Sequence, residues 1–170
     1  MIEQHASRRE VRIERWSSRA FFVVPCPFRV DLPLDMSGCV VAALRDTMRE
    51  GYRRPARGAI LASDARGRGA VFVEIEAPSR PDPRVTVIDA ECLARALPGR
   101  SSGLRAEVEE LVRWSDQLGR DVGAFYVAFA ASEAPGSFRP VTLVAALDAA
   151  LVDHFEVHST RRYLVPMQAT

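Results

Sequence analysis

Ser37-Gly-Cys-Val-Val-Ala-Ala-Leu-Arg-Asp-Thr-Met48 is followed by Gly58-Ala-Ile-Leu-Ala62, and Ser102-Gly-Leu-Arg-Ala-Glu-Val-Glu-Glu-Leu-Val-Arg-Trp114 is followed, at the same spacing, by Gly123-Ala-Phe-Tyr-Val127. Each Ser-Gly opens a run with apolar residues at helical intervals: Val41, Leu44 and Met48 in one, Val108, Leu111 and Leu118 in the other. Each serine is placed to act as an N-cap. Each Gly-Ala opens a short apolar stretch that reads as a strand. Upstream of the two helices, Val11–Val24 and Val85–Pro98 both begin with an alternating β-branched pattern, cross a polar patch and return to apolar residues. Downstream, the first half closes with Val71-Phe-Val-Glu-Ile-Glu-Ala-Pro78 and the second with Arg161-Arg-Tyr-Leu-Val-Pro166.

The chain therefore reads as strand, helix, strand, strand, twice over. Residues 1–170 form a single domain, with repeat one at about 10–78, a linker at 79–84 around Arg80-Pro-Asp-Pro83, and repeat two at about 85–166. Two insertions set the halves apart. One is a proline-rich loop from Pro25 to Met36. The other spans about 133–159, where Val141–Phe155 suits an extra helix, a strand being the alternative. Gly67-Arg-Gly69 reads as a hairpin turn. The predicted class is α+β: two pseudo-symmetric β-α-β-β repeats forming an antiparallel sheet, helices on one face, and a ligand groove between the halves.

Composition narrows the functions. A net charge of +1 gives no bulk electrostatic reason to bind nucleic acid. Every basic residue is arginine, a bias spread along the whole chain that matches a GC-rich coding sequence better than selection at one site. Cys26, Cys39 and Cys92 are odd in number and form no C-x-x-C, which argues against a disulfide framework or a zinc knuckle, and inert thiols are expected. The polar N-terminus is no signal peptide, and no apolar run reaches the length of a membrane span, so a cytoplasmic location without membrane contact is expected. G-x-S-x-G, P-loop and G-x-G-x-x-G motifs are missing. His154 and His158 lie four apart, but Phe155 breaks the H-E-x-x-H pattern and no third ligand is evident; no metal and no cofactor are expected.

Phe72-Val-Glu-Ile-Glu-Ala-Pro78, the linker, Val85–Gly99, the helix with Leu111-Val-Arg-Trp-Ser-Asp-Gln-Leu-Gly119, and Gly123-Ala-Phe-Tyr-Val-Ala-Phe129 come in an order that resembles the GyrI-like family, the AraC-type effector-binding domain with tandem SHS2 repeats. The resemblance covers roughly residues 10–130. It implies an aromatic-lined groove between two halves that takes hydrophobic, often cationic, molecules. Members act as sensors fused to DNA-binding regions, as free-standing binders, or as hydrolases of cyclopropane-containing natural products. With the repeat starting near residue 10, a free-standing role is implied. One departure stands out. Sensors of the family carry a glutamate on the strand after the second helix, whereas Gly123–Ala131 has no carboxylate. Glu74 or Glu76 is then the substitute.

Glu74 and Glu76 share one face of their strand. On a solvated face they are surface residues. On a groove face they would repel, one pKa would rise, and a general acid or base would result. Tyr126 shares a face with Ala124 and Ala128; Phe125 and Phe129 share the other; one set packs on the helices and the other can see the groove. Phe21 and Phe22 fall on opposite faces, so one of them reaches the cleft. Trp16, Phe72 and Trp114 complete the candidate aromatics, although for Trp114 a helix-to-sheet anchor is the preferred reading. Three functions stay open: a binder of an antibiotic or drug-like hydrophobic molecule; a hydrolase using Glu74 or Glu76 with Tyr126; and a protein-interaction module such as a gyrase inhibitor. Oligomeric state is not readable.

Overall fold

The computed structural model describes residues 11–26, 36–65, 68–98 and 104–147. The elements run β1 (Val11–Pro25), α1 (Ser37–Arg49), β2 (Ile60–Ala65), β3 (Arg68–Ile75), β4 (Val85–Ala96), α2 (Leu104–Gln117), β5 (Val122–Ala131) and β6 (Phe138–Leu147). All strand pairs are antiparallel, in the order β1-β3-β2-β5-β6-β4, and β4 pairs back onto β1. The class is α+β, as expected, but the sheet closes into a six-stranded barrel. The physical reason is the length of β1. Its Ala20–Pro25 end pairs with β3 while Val11–Phe22 also pairs with β4, so among the described residues no edge strand is left open. The sheet face expected to line an open groove becomes the inside of the barrel.

Two large apolar clusters follow, beside a small third one of Ala20, Phe22 and Ile75. The inner one draws only on strands: Trp16, Phe21, Leu61, Phe72, Ile88, Ala90, Cys92, Ala124, Tyr126 and Val144 are among its members. The outer one joins Val40 and Ala43 of α1 and Leu104, Val108 and Leu111 of α2 to the outward side chains of the strands. Strands buried on both faces explain the near-continuous apolar runs in β3, β5 and β6.

The helical periods are as read, but one phase is shifted. In α1 the buried positions are Ser37, Val40, Ala43 and Thr47, the last three one residue before the expected stripe, and Met48 is exposed. Ser37 does not cap α1. It is the first helical residue, and its Oγ accepts the Phe138 backbone N–H at 2.9 Å, tying α1 to β6. Ser102 lies outside the described residues. Both helices end the same way. Gly51 and Gly119 have positive φ, of 79° and 66°. Tyr52 N donates to Thr47 O and Gly51 N to Met48 O; Arg120 N donates to Ser115 O and Gly119 N to Asp116 O. This is the two-bond glycine cap that satisfies the last carbonyls of a helix. α2 is further held by the buried Glu107, whose Oε2 lies 2.8 Å from Arg95 Nε on β4.

The expected helix over 141–155 is corrected. Phe138–Leu147 is β6, the strand that bridges β5 and β4. Its alternation decides the matter: Leu143, Ala145 and Leu147 join the outer cluster, Val144 and Ala146 the inner. The rest of that segment, with His154, His158 and the proposed strand at 161–166, lies outside the described residues. Cys92 lies within β4. The hairpin expected near Gly67 is consistent with the β2–β3 pairing, which runs to Ala65 and Arg68. Among the described residues no helix is long and apolar enough to cross a membrane.

Candidate functional site

Small residues make the site. Ala90, Cys92 and Ala94 on β4, Ala124 on β5 and Ala70 on β3 all point inward, which leaves room for four large rings in a narrow barrel. Trp16 and Phe21 come from β1, Phe72 from β3 and Tyr126 from β5. Their centroids lie 6.2 Å apart for Trp16–Phe21, 6.1 Å for Trp16–Tyr126, 6.5 Å for Phe21–Phe72 and 5.5 Å for Phe72–Tyr126, the last two edge to face. These are favourable aromatic separations. All four rings are buried.

A bulge brings Trp16 into this set. The β1–β4 register shifts between Trp16 and Arg19, and Ser18 takes a φ of 47°. The extra residue reverses the alternation. Strict period two would put Trp16 with Phe22; instead Trp16 shares the inner face with Arg19 and Phe21. The Arg19 guanidinium carbon sits 4.5 Å from the Trp16 ring centre and 5.6 Å from that of Phe21, within cation–π range.

Glu74 holds that guanidinium. Arg19 Nε donates to Oε1 at 2.8 Å and Nη2 to Oε2 at 2.6 Å, while Ala59 N donates to Oε2 at 2.7 Å. The Glu74 side chain is 13% exposed and that of Arg19 26%. Burial by itself would raise the Glu74 pKa. The hydrogen bonds from Arg19 and Ala59, with the charges of Arg19 and Arg54, outweigh it and hold the carboxyl below its ordinary range. Glu74 is thus an ionised group, not a raised-pKa acid. Cys92, in the same interior, is pushed up to about 12 by burial and by the charge of Glu14, which keeps it a thiol.

The other expected residues lie elsewhere. Phe22 is on the outer wall, 5.3 Å from the Tyr52 ring and under Arg84. Phe125 and Phe129 pack into the outer core with the helices. Trp114 is 40% exposed on α2, so it neither lines the interior nor anchors the helix. Glu76 lies just past β3 and is exposed; the two glutamates do not share a site. Arg19 is the residue that the sequence reading missed, and the bulge that re-aims it has no composition signal beyond Ser17-Ser18.

Glu76 instead borders a surface cleft of about 460 Å³, with Glu50, Tyr52, Arg53, Arg80 and Asp82 around it. Its groups are largely paired off. Tyr52 hydrogen-bonds Asp82, and Arg84 bridges Asp82 and Glu50. The Asp82 carboxyl is held well below its usual range by hydrogen bonds from Arg84 and Tyr52, and the Tyr52 phenol is pushed up to about 12 by burial and its bond to Asp82. With one ring and a largely polar and charged lining, this cleft is less suited to an apolar molecule than the barrel interior. Among the described residues no group of three or more His, Cys, Asp or Glu is placed to hold a metal ion. Compared with known proteins, the chain matches no family model and no curated sequence.

Proposed function

We propose that the chain is a small-molecule-binding protein of the GyrI-like kind, which holds a hydrophobic organic cation, antibiotic- or drug-like, against Trp16, Phe21, Phe72 and Tyr126. The observation that carries this reading is the Arg19–Glu74 pair laid across Trp16 and Phe21. Aromatic faces with an ionised carboxylate beside them are what an organic cation requires. Here the protein's own guanidinium fills that place, and a ligand that displaces Arg19 takes over both contacts. The element order strand, helix, strand, strand, given twice, and the matching glycine caps support two related halves. Each half supplies three adjacent strands. The halves meet along β1–β4 over most of β1, but along β2–β5 only over Ile60–Ala62. Beyond that, Ser63 Oγ donates to Phe125 O at 2.9 Å. This short seam is where the halves part to admit a ligand to Tyr126.

Glu74 favours binding over turnover. A carboxylate held below its ordinary pKa pairs with charge but is a weak base toward water and donates no proton at neutral pH, so we rank the hydrolase with Glu74 and Tyr126 second. The test is a melt with tetraphenylphosphonium and with tetraphenylborate, anionic and of the same shape. The cation raises Tm, and Glu74→Gln removes the rise. Equal responses to the two ions contradict the reading, and mass gain of water by a reactive ligand would restore the hydrolase. A protein-contact role is favoured by a separate observation: Trp114 and Leu118 are exposed one helical turn apart. Inhibition of gyrase that Trp114→Ala abolishes would support it.

A further inference from the structure

The Glu74 carboxylate is oriented by more than Arg19. The Glu74 backbone N–H donates to Ala59 O at 2.9 Å, and the Ala59 N–H donates back to Glu74 Oε2 at 2.7 Å. This reciprocal strap ties the side chain to the segment before β2 and does not involve Arg19. Arg54 lies close enough for its charge to favour the ionised carboxylate, and its own Nη2 is committed to Gly58 O at 2.8 Å. What Arg19 adds is particular in shape. One flat cation gives Nε–H to Oε1 at 2.8 Å and Nη2–H to Oε2 at 2.6 Å, a two-pronged fit, while lying against the rings of Trp16 and Phe21.

Resting on the cation-binding reading above, we propose that the site selects an aryl amidine or aryl guanidine, whose flat N–C–N group replaces the Arg19 guanidinium on Glu74 and whose ring continues toward Phe72 and Tyr126. A quaternary onium ion supplies the charge but no N–H. Oε1 then loses its hydrogen bond on a side chain only 13% exposed, where water is a poor replacement. A primary ammonium ion donates, but as a compact charge without a flat face to stack. An amidinium-type group returns both hydrogen bonds and the ring contact together. Arg19 is the more exposed partner of the pair, so it is the one that withdraws to solvent, while the Ala59 strap keeps the carboxylate aimed.

The experiment is calorimetric titration of the full chain with three naphthalene-sized cations: 2-naphthamidine, N-methylquinolinium, which is flat but has no N–H, and trimethyl(2-naphthyl)ammonium. Tetraphenylphosphonium is run beside them as the test of cation binding itself. The expected result is that the amidine binds about tenfold or more tighter than either onium ion, and that Glu74→Gln erases the preference. The comparison among ligands is made on the wild-type chain and needs no variant to fold. Onium ions, tetraphenylphosphonium among them, that bind as tightly as the amidine or more tightly overturn the selectivity and leave cation binding standing. So does an amidine preference that survives Glu74→Gln. If neither the amidine nor tetraphenylphosphonium binds, the cation-binding reading falls as well.

Discussion

Trp16 and Arg19 lie three residues apart on one strand, yet the guanidinium carbon of the second sits 4.5 Å from the ring centre of the first. Only a bulge allows this, and it sets the whole inner face of β1. Deleting Ser18 would remove the extra residue, so that Trp16, Arg19 and Phe21 share one face by plain alternation. The expected outcome is a retained fold with cooperative unfolding followed by circular dichroism, as for Ser18→Gly, which relieves the φ of 47°. Loss of cooperative unfolding on the deletion would show that the bulge does more than set which side chains face inward.

The Arg19–Glu74 pair is the second test. Glu74→Gln leaves the Arg19 guanidinium, 26% exposed, without its charge partner. A loss of about 1–2 kcal/mol is expected once partial exposure is allowed for, read from urea midpoints. The pH dependence has a definite sign. Glu74 has a folded pKa below its unfolded value. Its stabilisation is therefore fully present above the unfolded pKa of about 4.3, and fades as pH falls through the lower folded value. Wild type and Glu74→Gln should converge in stability in acid and differ most at neutral pH. A constant difference across that range would show that the carboxylate's charge is not what is lost.

Phe72 touches both Phe21 and Tyr126 edge to face and is almost fully buried. Phe72→Ala should cost about 3–5 kcal/mol. The cavity it leaves is apolar on most sides, so toluene should recover part of the loss in a thermal melt. No recovery would mean that the barrel collapses around the deletion.

The glycine caps offer a cleaner comparison. An added Cβ meets nothing within 4 Å at Gly51 or Gly119, so alanine there is opposed only by the backbone angle. Gly51→Ala and Gly119→Ala should each cost about 1–2 kcal/mol, with unchanged denaturant slope. A much smaller effect at one of them would show that its helix end can refit without the left-handed residue.

Much of the fold was legible because it rests on local periods. The helices, the strands Ile60–Ala65 and Val122–Ala131, and the break around Arg80–Pro83 follow from spacing and turn residues. Closure was not legible, because it depends on β1 pairing with two strands at once, a long-range property. Residues 141–147 misled for the opposite reason: Val-Thr-Leu-Val-Ala-Ala-Leu is apolar on every side, which suits a strand buried on both faces as well as a helix. Within the site, parity separated Phe21 from Phe22, and Tyr126 from Phe125 and Phe129, but did not say which set faces inward; closure of the barrel decides that. Trp16 joins Phe21 only through the bulge, and Phe22, Phe125 and Phe129 carry the other parity, which faces outward.

The most direct test of the central claim uses the two tryptophans. Trp114→Phe removes the exposed one and leaves Trp16 as the single reporter inside the barrel. Tetraphenylphosphonium is titrated while Trp16 emission is followed. A saturable change in that emission, abolished by Glu74→Gln and not produced by tetraphenylborate, is the predicted result. Emission that stays constant while the cation is added, or that responds equally to both ions, would contradict a cation site built on Trp16 and Glu74.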